Sequence, residues 1–211
     1  MITPDRVLDR RLPRIRSLED LPPAARRRIL RTVCRWEGLE YGAQQSRRLA
    51  AIEARLRHNH EGLLCAFDRD RLLGFGDVVP LAPSHYAALR RGRVVEEQIP
   101  SRWVGRGRGN ASRCWYIGSL IVERALRASH PGLAHEVSAR LQHAIWSHIA
   151  VRGRPPFRVL GISATPVGRA KFRQTGFGPV DPAADAVDLR PRFEQVFIRR
   201  AQLATRLGPR P

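Results

Sequence analysis

VLGISATPVGRAKFRQTGF, residues 159–177, reads as a strand feeding a short helix that is closed by a Gly-Phe pair. Val159, Leu160 and Ile162 form an apolar run suited to a pleated, buried surface. Pro166 fits the first turn of a helix, where its missing N–H costs nothing. Gly176 tolerates the left-handed conformation that ends a helix, and Phe177 just beyond it folds back onto the apolar face.

Outward from this unit, CWYIGSLIV (residues 114–122) is the most apolar strand and is expected at the centre of a sheet. A turn around residues 129–132 follows, then an amphipathic helix through Val137, Leu141, Ile145, Trp146 and Ile149. With the opening strand this makes a β-α-β unit whose two strands run parallel. Gly132 at the start of that helix leaves N–H groups beside the positive end of the dipole, a seat for phosphate, although an ordinary helix start reads the same way.

Earlier in the chain, residues 63–81 read as a β-hairpin with a charged turn at residues 68–71. Gly74 and Gly76 in its second strand mark a bulge or a close approach. Asp77 is the one acidic residue of that strand, either a base facing a cleft or a solvent-facing residue by simple alternation. Ile29, Leu30, Val33 and Trp36 place a helix from Pro22 to Gly38, and residues 46–58 suggest a second one. His58 and His60 flank its end and are read as a solvated cap rather than a metal pair. Residues 1–20 form a polar lead-in whose end pairs through Leu12 and Ile15.

Residues 82–112 interrupt the strands. Ser84 is expected to cap a short helix through His85, Tyr86 and Leu89 that ends near Gly92, followed by the acidic pair Glu96 and Glu97. The segment SRWVGRGRGNAS then alternates arginine with glycine, as either a charged lid or a plain mobile loop would. Residues 193–200 read as a last strand and 201–211 as a loosely held tail.

The 211 residues suit one domain, and 43% hydrophobic content is enough for a real core. The formal charge is +19, and Lys171 is the only lysine, so the positive charge is almost all arginine. Clustered arginine reads phosphate, yet here it is scattered from Arg6 to Arg210, which favours a solvated surface over one binding block. Cys34, Cys65 and Cys114 lack the spacing of a zinc site or a disulfide framework. No apolar run approaches a membrane span, and the start lacks a signal segment, so the expected location is the cytoplasm.

The order of elements, with ATPVGRAKFRQTGFG as its specific part, resembles the GCN5-related N-acetyltransferase superfamily over residues 21–200. The resemblance implies an α/β (α+β), acyl-CoA N-acyltransferase-like fold, with a central mixed, mostly antiparallel sheet of about six to seven strands flanked by helices. Residues 82–112 become an insertion between the third and fourth strands. It also implies acetyl-CoA, or another acyl-CoA, as co-substrate and no metal. The backbone of Leu120, Ile121 and Val122 would pair with the pantetheine arm, and the Leu120 N–H would serve as oxyanion donor. Amides of Gly132, Leu133 and Ala134 would hold the pyrophosphate, with Arg124 and Arg127 near enough to assist.

Two features depart from the family pattern. Its pyrophosphate loop, Q/R-x-x-G-x-G/A, aligns with residues 129–134, so Ser129 stands first, and the loop after Val122 is about two residues longer than the usual form. Phe172, a cofactor-side residue, stands where many members carry the tyrosine that protonates the departing thiolate.

Acyl transfer to an amine needs a base, an oxyanion donor and alignment. Glu97 is ranked first as base because Val94, Val95 and Ile99 suggest a partly buried segment, ahead of Glu96, Asp77 and His85. Tyr116 and Ser119 either line the acceptor pocket or follow core alternation. The acceptor is a small or macromolecular amine, and the arginines of residues 102–108 favour an acidic or tRNA-linked one. The rival readings are a catalytically silent binding module and a transferase that uses an acyl carrier protein, as acyl-homoserine-lactone synthases do. The oligomeric state is left open.

Overall fold

The computed structural model describes residues 12–42, 50, 54, 60–96, 99, 104, 112–163, 165–200 and 202. Glu97, the arginine-rich segment 102–108, nearly all of the expected helix 46–58 with His58, the first eleven residues and most of the tail lie outside the described residues.

β1 (Arg14–Ser17) lies antiparallel to β2 (Leu63–Asp68), which forms the expected hairpin with β3 (Arg71–Leu81). β3 pairs antiparallel with β4 (Ser112–Val122), and β4 pairs parallel with β5 (Gly153–Ile162). β7 (Arg192–Phe197) then joins β5 antiparallel, with the short β6 (Gly178–Val180) outside it. The sheet order is β1-β2-β3-β4-β5-β7-β6, so the one parallel contact lies at its centre. Such a contact needs a helical crossover, which the long helix between β4 and β5 supplies.

Two helical layers cover the sheet. On one face, α1 (Pro23–Tyr41) sets Ile29, Leu30, Val33 and Trp36 against Cys65, Phe67, Leu72 and Phe75. α2 (Pro83–Arg90) continues that face by burying Tyr86 and Leu89 beside Val79, Cys114 and Leu160. On the other face, α4 (Pro131–Arg152) buries Val137, Leu141, Ile145, Trp146 and Ile149 against Leu73, Trp115, Val159 and Phe157. The short helices α3 (Arg124–Ser129) and α5 (Pro166–Gln174) close the two ends of that layer. Among the described residues no helix is long and apolar enough to cross a membrane.

Several boundaries differ from those read in the sequence. α1 does not stop at Gly38, which is buried inside it; Gly42, at φ 90°, follows the last turn and donates its N–H to the Gly38 carbonyl. α2 starts at Pro83 rather than on a Ser84 cap, since proline is preset for a first turn. β5 begins at Gly153, several residues early, with Arg154 and its prolines on exposed positions. Residues 124–129, ahead of the turn expected at 129–132, coil into α3, and Ser129 Oγ closes it by donating to the Ala125 carbonyl at 2.8 Å.

Candidate functional site

The sheet opens at its centre. β4 and β5 pair from Ser112↔Gly153 to Ile117↔Gly161 and no further, while β4 runs on to Val122 along β3. The register against β3 slips at the same place, since Asp77 faces Ser119 and Val78 faces Ile117, so Gly118 is an extra, unmatched residue. A bulge of this kind bends a strand and turns it from its neighbour. The β5-facing edge of residues 118–122 therefore has no strand partner among the described residues.

The α4 side of the opening is apolar. Ile117, Leu120, Leu133 and Phe172 are partly buried and pack onto the core beneath α4. The Phe172 ring stacks on Phe193 at 5.4 Å and meets Phe177 edge-on at 5.0 Å. Its tip covers Gly161, the last paired residue of β5, so closely that a Cβ there would stand 2.1 Å from Phe172 Cζ. Thr165 caps α5 by accepting from the Gly168 N–H at 3.0 Å, which fixes the helix over the opening. At the start of α4, the Ala134 N–H already donates to the His130 carbonyl at 3.0 Å. Of the three amides expected to face a pyrophosphate, those of Gly132 and Leu133 precede this first helical bond and point out of the helix end. A Cβ on Gly132 would meet nothing within 4 Å, so the space outside that end is open. Of the two arginines expected to assist a phosphate, Arg127 is paired with Glu40 and Arg124 is exposed.

The opposite side is acidic. A Cβ on Gly118 would stand 2.9 Å from Asp77 Oδ2, 3.4 Å from Glu96 Oε1 and 3.4 Å from the Tyr116 ring, so two carboxylates meet over the bulge and only glycine fits there. Ser119 donates to the buried Glu37 at 2.6 Å. Burial, then the carboxylates of Glu37 and Glu96, push the Tyr41 phenol up to about 12, and its hydroxyl is hydrogen-bonded to Ser119. Asp77 is thus not turned to solvent: by simple alternation it shares its face of β3 with Phe75 and Val79, and α1 and α2 cover that face. Tyr116 is fully buried in the core, and His85 lies half-buried on α2.

A polar frame fixes this acidic wall. Gly92, at φ 74°, accepts from the Val187 and Asp188 amides at 2.8 and 3.0 Å. Asp188 holds Arg190 at 2.9 Å and the buried Arg192 at 2.8 Å, and Arg190 reaches Glu96 at 3.8 Å. Burial alone would raise the Asp188 carboxyl, but the Arg190 hydrogen bonds and the two arginine charges outweigh it and hold it low. Glu194 does the same for α2, accepting from Tyr86 at 2.8 Å and Arg90 at 2.7 Å, with Arg158 at 2.9 Å. There too burial would raise the carboxyl, and its donors and the charges of Arg90 and Arg158 outweigh that and hold it low.

Glu37 and Tyr41 escaped the sequence reading. The signal was present: Glu37 stands four residues after Val33, on the apolar stripe of α1, where a carboxylate is out of place unless it has a polar partner inside.

No family model and no curated protein matches the sequence. Solved structures do. Ard1 from Thermoplasma volcanium superposes with a TM-score of 0.53 at 12% identity, over 89% of this chain and 99% of that one. PH1933 from Pyrococcus horikoshii OT3 gives 0.54 at 15%, over 87% and 98%. The aminoglycoside 6'-N-acetyltransferase from Enterococcus faecium gives 0.50 at 14%, over 94% and 99%. Together with the sheet order and the opening between its parallel strands, these likenesses show that the chain has the fold of the GCN5-related N-acetyltransferases, in a divergent form.

Proposed function

We propose that the protein is an acyl-CoA-dependent N-acyltransferase that moves an acetyl group from acetyl-CoA to an amine. The opened edge of β4 supports this most. Residues 118–122 lose β5 as a neighbour where the strand bulges, which leaves backbone groups for an extended ligand to pair with as an added strand. The apolar side chains beside the edge fit a pantetheine arm, and the Gly132 and Leu133 amides fit a pyrophosphate. A bound acyl-CoA would supply an activated thioester carbonyl. The chain would supply alignment, the Leu120 N–H for the developing oxyanion, and a carboxylate to take the proton of the acceptor ammonium. Asp77 and Glu96 are assigned that last role together with Glu97, the next residue along from Glu96.

The acidic wall favours an acceptor that arrives as a cation. A tRNA-linked amine, the acceptor favoured by the arginines of residues 102–108, satisfies this at its ammonium, and the salt dependence of tRNA binding tests it. Aminoglycosides belong in the acceptor panel because the Enterococcus structure acetylates one.

A second reading, a binding module without turnover, is favoured by Phe172, which offers no hydroxyl to a departing thiolate. One experiment separates the two. Acetyl-CoA at a hundredfold excess over its Kd should stabilise the fold by about 2.7 kcal/mol, read as a rise in Tm. Free CoA thiol is then followed with polyamines, aminoglycosides, lysine peptides and aminoacyl-tRNA. A rise in Tm without thiol release from any amine supports the silent module, and no rise with any acyl-CoA sinks the transferase reading.

A further inference from the structure

α1 carries its charges against its own dipole. Arg26, Arg27 and Arg28 lie near its amino end, with no acid in the first turn, while Glu37 and Glu40 lie near its carboxyl end, with no base in the last. Helices are stabilised by the reverse arrangement. Arg27, Arg31 and Arg35 also follow one another at four-residue intervals, which sets like charges side by side. These three and Arg28 are exposed, on the side of α1 away from the residues it buries on the sheet.

Arginines elsewhere commonly have an acidic partner, as in Arg93–Asp185, Arg140–Glu136, Arg152–Glu61 and Arg158–Glu194. Arg26 is held by the carbonyls of Leu21 and Glu19 at 2.7 Å each. Arg27, Arg28, Arg31 and Arg35 have no acidic partner among the described residues. A row of exposed guanidinium groups, repelling each other and opposing the dipole, weakens the helix that carries it. A partner that neutralises the row reverses that cost.

We propose that the outer face of α1 is a docking surface for the phosphate backbone of an RNA. Guanidinium forks bind phosphate bidentately, and the row from Arg27 to Arg35 spans about 12 Å, enough for several phosphates. The same helix leads to Glu37 and Tyr41 on the acidic side of the candidate site. An amine-bearing RNA satisfies both ends, with phosphates for the arginine half and an ammonium for the acidic half, which an anionic lipid surface does not. This rests on the N-acyltransferase reading for what the RNA presents, and not for the docking itself.

The test measures binding of a short RNA duplex by the full chain across a salt series. The variant R27Q/R31Q/R35Q should bind at least about tenfold more weakly at low salt, and the slope of log K against log salt should become shallower by about 2 to 3. The variant R113Q/R154Q/R199Q removes the same charge from exposed positions elsewhere and should keep the wild-type slope. Equal losses in the two variants overturn the proposal, as does a wild type that ignores RNA at low salt. Row-dependent binding to phosphatidylserine vesicles that exceeds binding to RNA overturns it too. The acetyl-CoA thermal shift, run on the same proteins, should not change in the α1 variant. Its absence from every one of them, with row-dependent RNA binding intact, would remove the transferase reading and leave the docking surface standing.

Discussion

The two sides of the opening in β4 are built from different materials. The α4 side is apolar and shaped by rings and glycines, with Phe172 over Gly161, while the α1 side is a set of carboxylates and hydroxyls, with Glu37, Asp77 and Glu96 around Ser119 and Gly118. The first side fits any ligand with the same apolar arm. The second can discriminate, because buried polar groups reject a partner that leaves them unpaired. If one side holds the common donor and the other selects the acceptor, the two should fail separately.

The largest effect expected comes from Asp77→Asn. Amide for carboxylate keeps the shape but removes one of the three carboxylates proposed as base; if Asp77 is the one that acts, acyl transfer to a responsive amine should drop by about 100-fold or more, with the acid limb of the pH profile moved or lost. The acetyl-CoA thermal shift should persist. Loss of that shift in the Asp77 variant would break the division between the sides.

The two sides should also fail at opposite ends of the pH scale. Burial, aided by the nearby Arg152 charge, lowers His148 on α4 to about 4, where it meets Trp115 edge-on at 5.9 Å. The unfolded chain protonates this histidine near its ordinary value, so stability is present above about 6.5 and is lost as pH falls towards 4, by about 3 kcal/mol at most. Tyr41, raised to about 12, behaves in the opposite sense. Its contribution is present below about 10 and is lost as pH rises towards 12, again by about 3 kcal/mol at most. Tm measured across pH should show both limbs, with His148→Gln flattening only the acid one and Tyr41→Phe only the alkaline one.

Much of the α4 side was legible in the sequence, because it depends on periodicity and turn chemistry. Val159, Pro166, Gly176 and Phe177 each stand in the strand, helix start and helix end read for them. Gly176 has φ 78°. The α1 side was less legible, and the reason is long-range. Asp77 looked solvent-facing because nothing local says that distant helices, α1 and α2, cover the face of β3 it shares with Phe75 and Val79. Ser119 and Glu37 are 82 positions apart, and nothing local says that they meet. Gly38 misled for a related reason: a glycine buried inside a helix looks in sequence like one that ends it. β6 was missed because three residues carrying a proline show no strand period and are held only by β7.

A smaller effect sharpens the α4 side. Gly161→Ala places a Cβ against the Phe172 ring tip, and the ring, stacked on Phe193 and edge-on to Phe177, cannot retreat without losing contacts. Overpacking of this kind costs about 1–3 kcal/mol. Because the ring borders the opening, the acetyl-CoA shift should shrink along with stability, whereas a remote overpacked site would lower only the latter.

The smallest effect tests whether the frame behind the acidic wall acts through its buried members. Arg93 and Asp185 join the same two segments as the Asp188 cluster, but their side chains are 47% and 64% exposed, against 0% and 4% for Arg192 and Asp188. Water screens the outer pair and its ordering offsets what attraction remains, so Arg93→Gln should change stability by less than about 0.5 kcal/mol and leave acceptor turnover alone. Arg192→Gln leaves Asp188 buried with one cation fewer and takes donors from the carbonyls of Leu89 and Arg190, so it should cost several times more. Denaturant melts of the two variants compare these directly. Equal losses would mean that the wall is held by its exposed rim, and Glu96 would then be positioned by a contact that salt can dissolve.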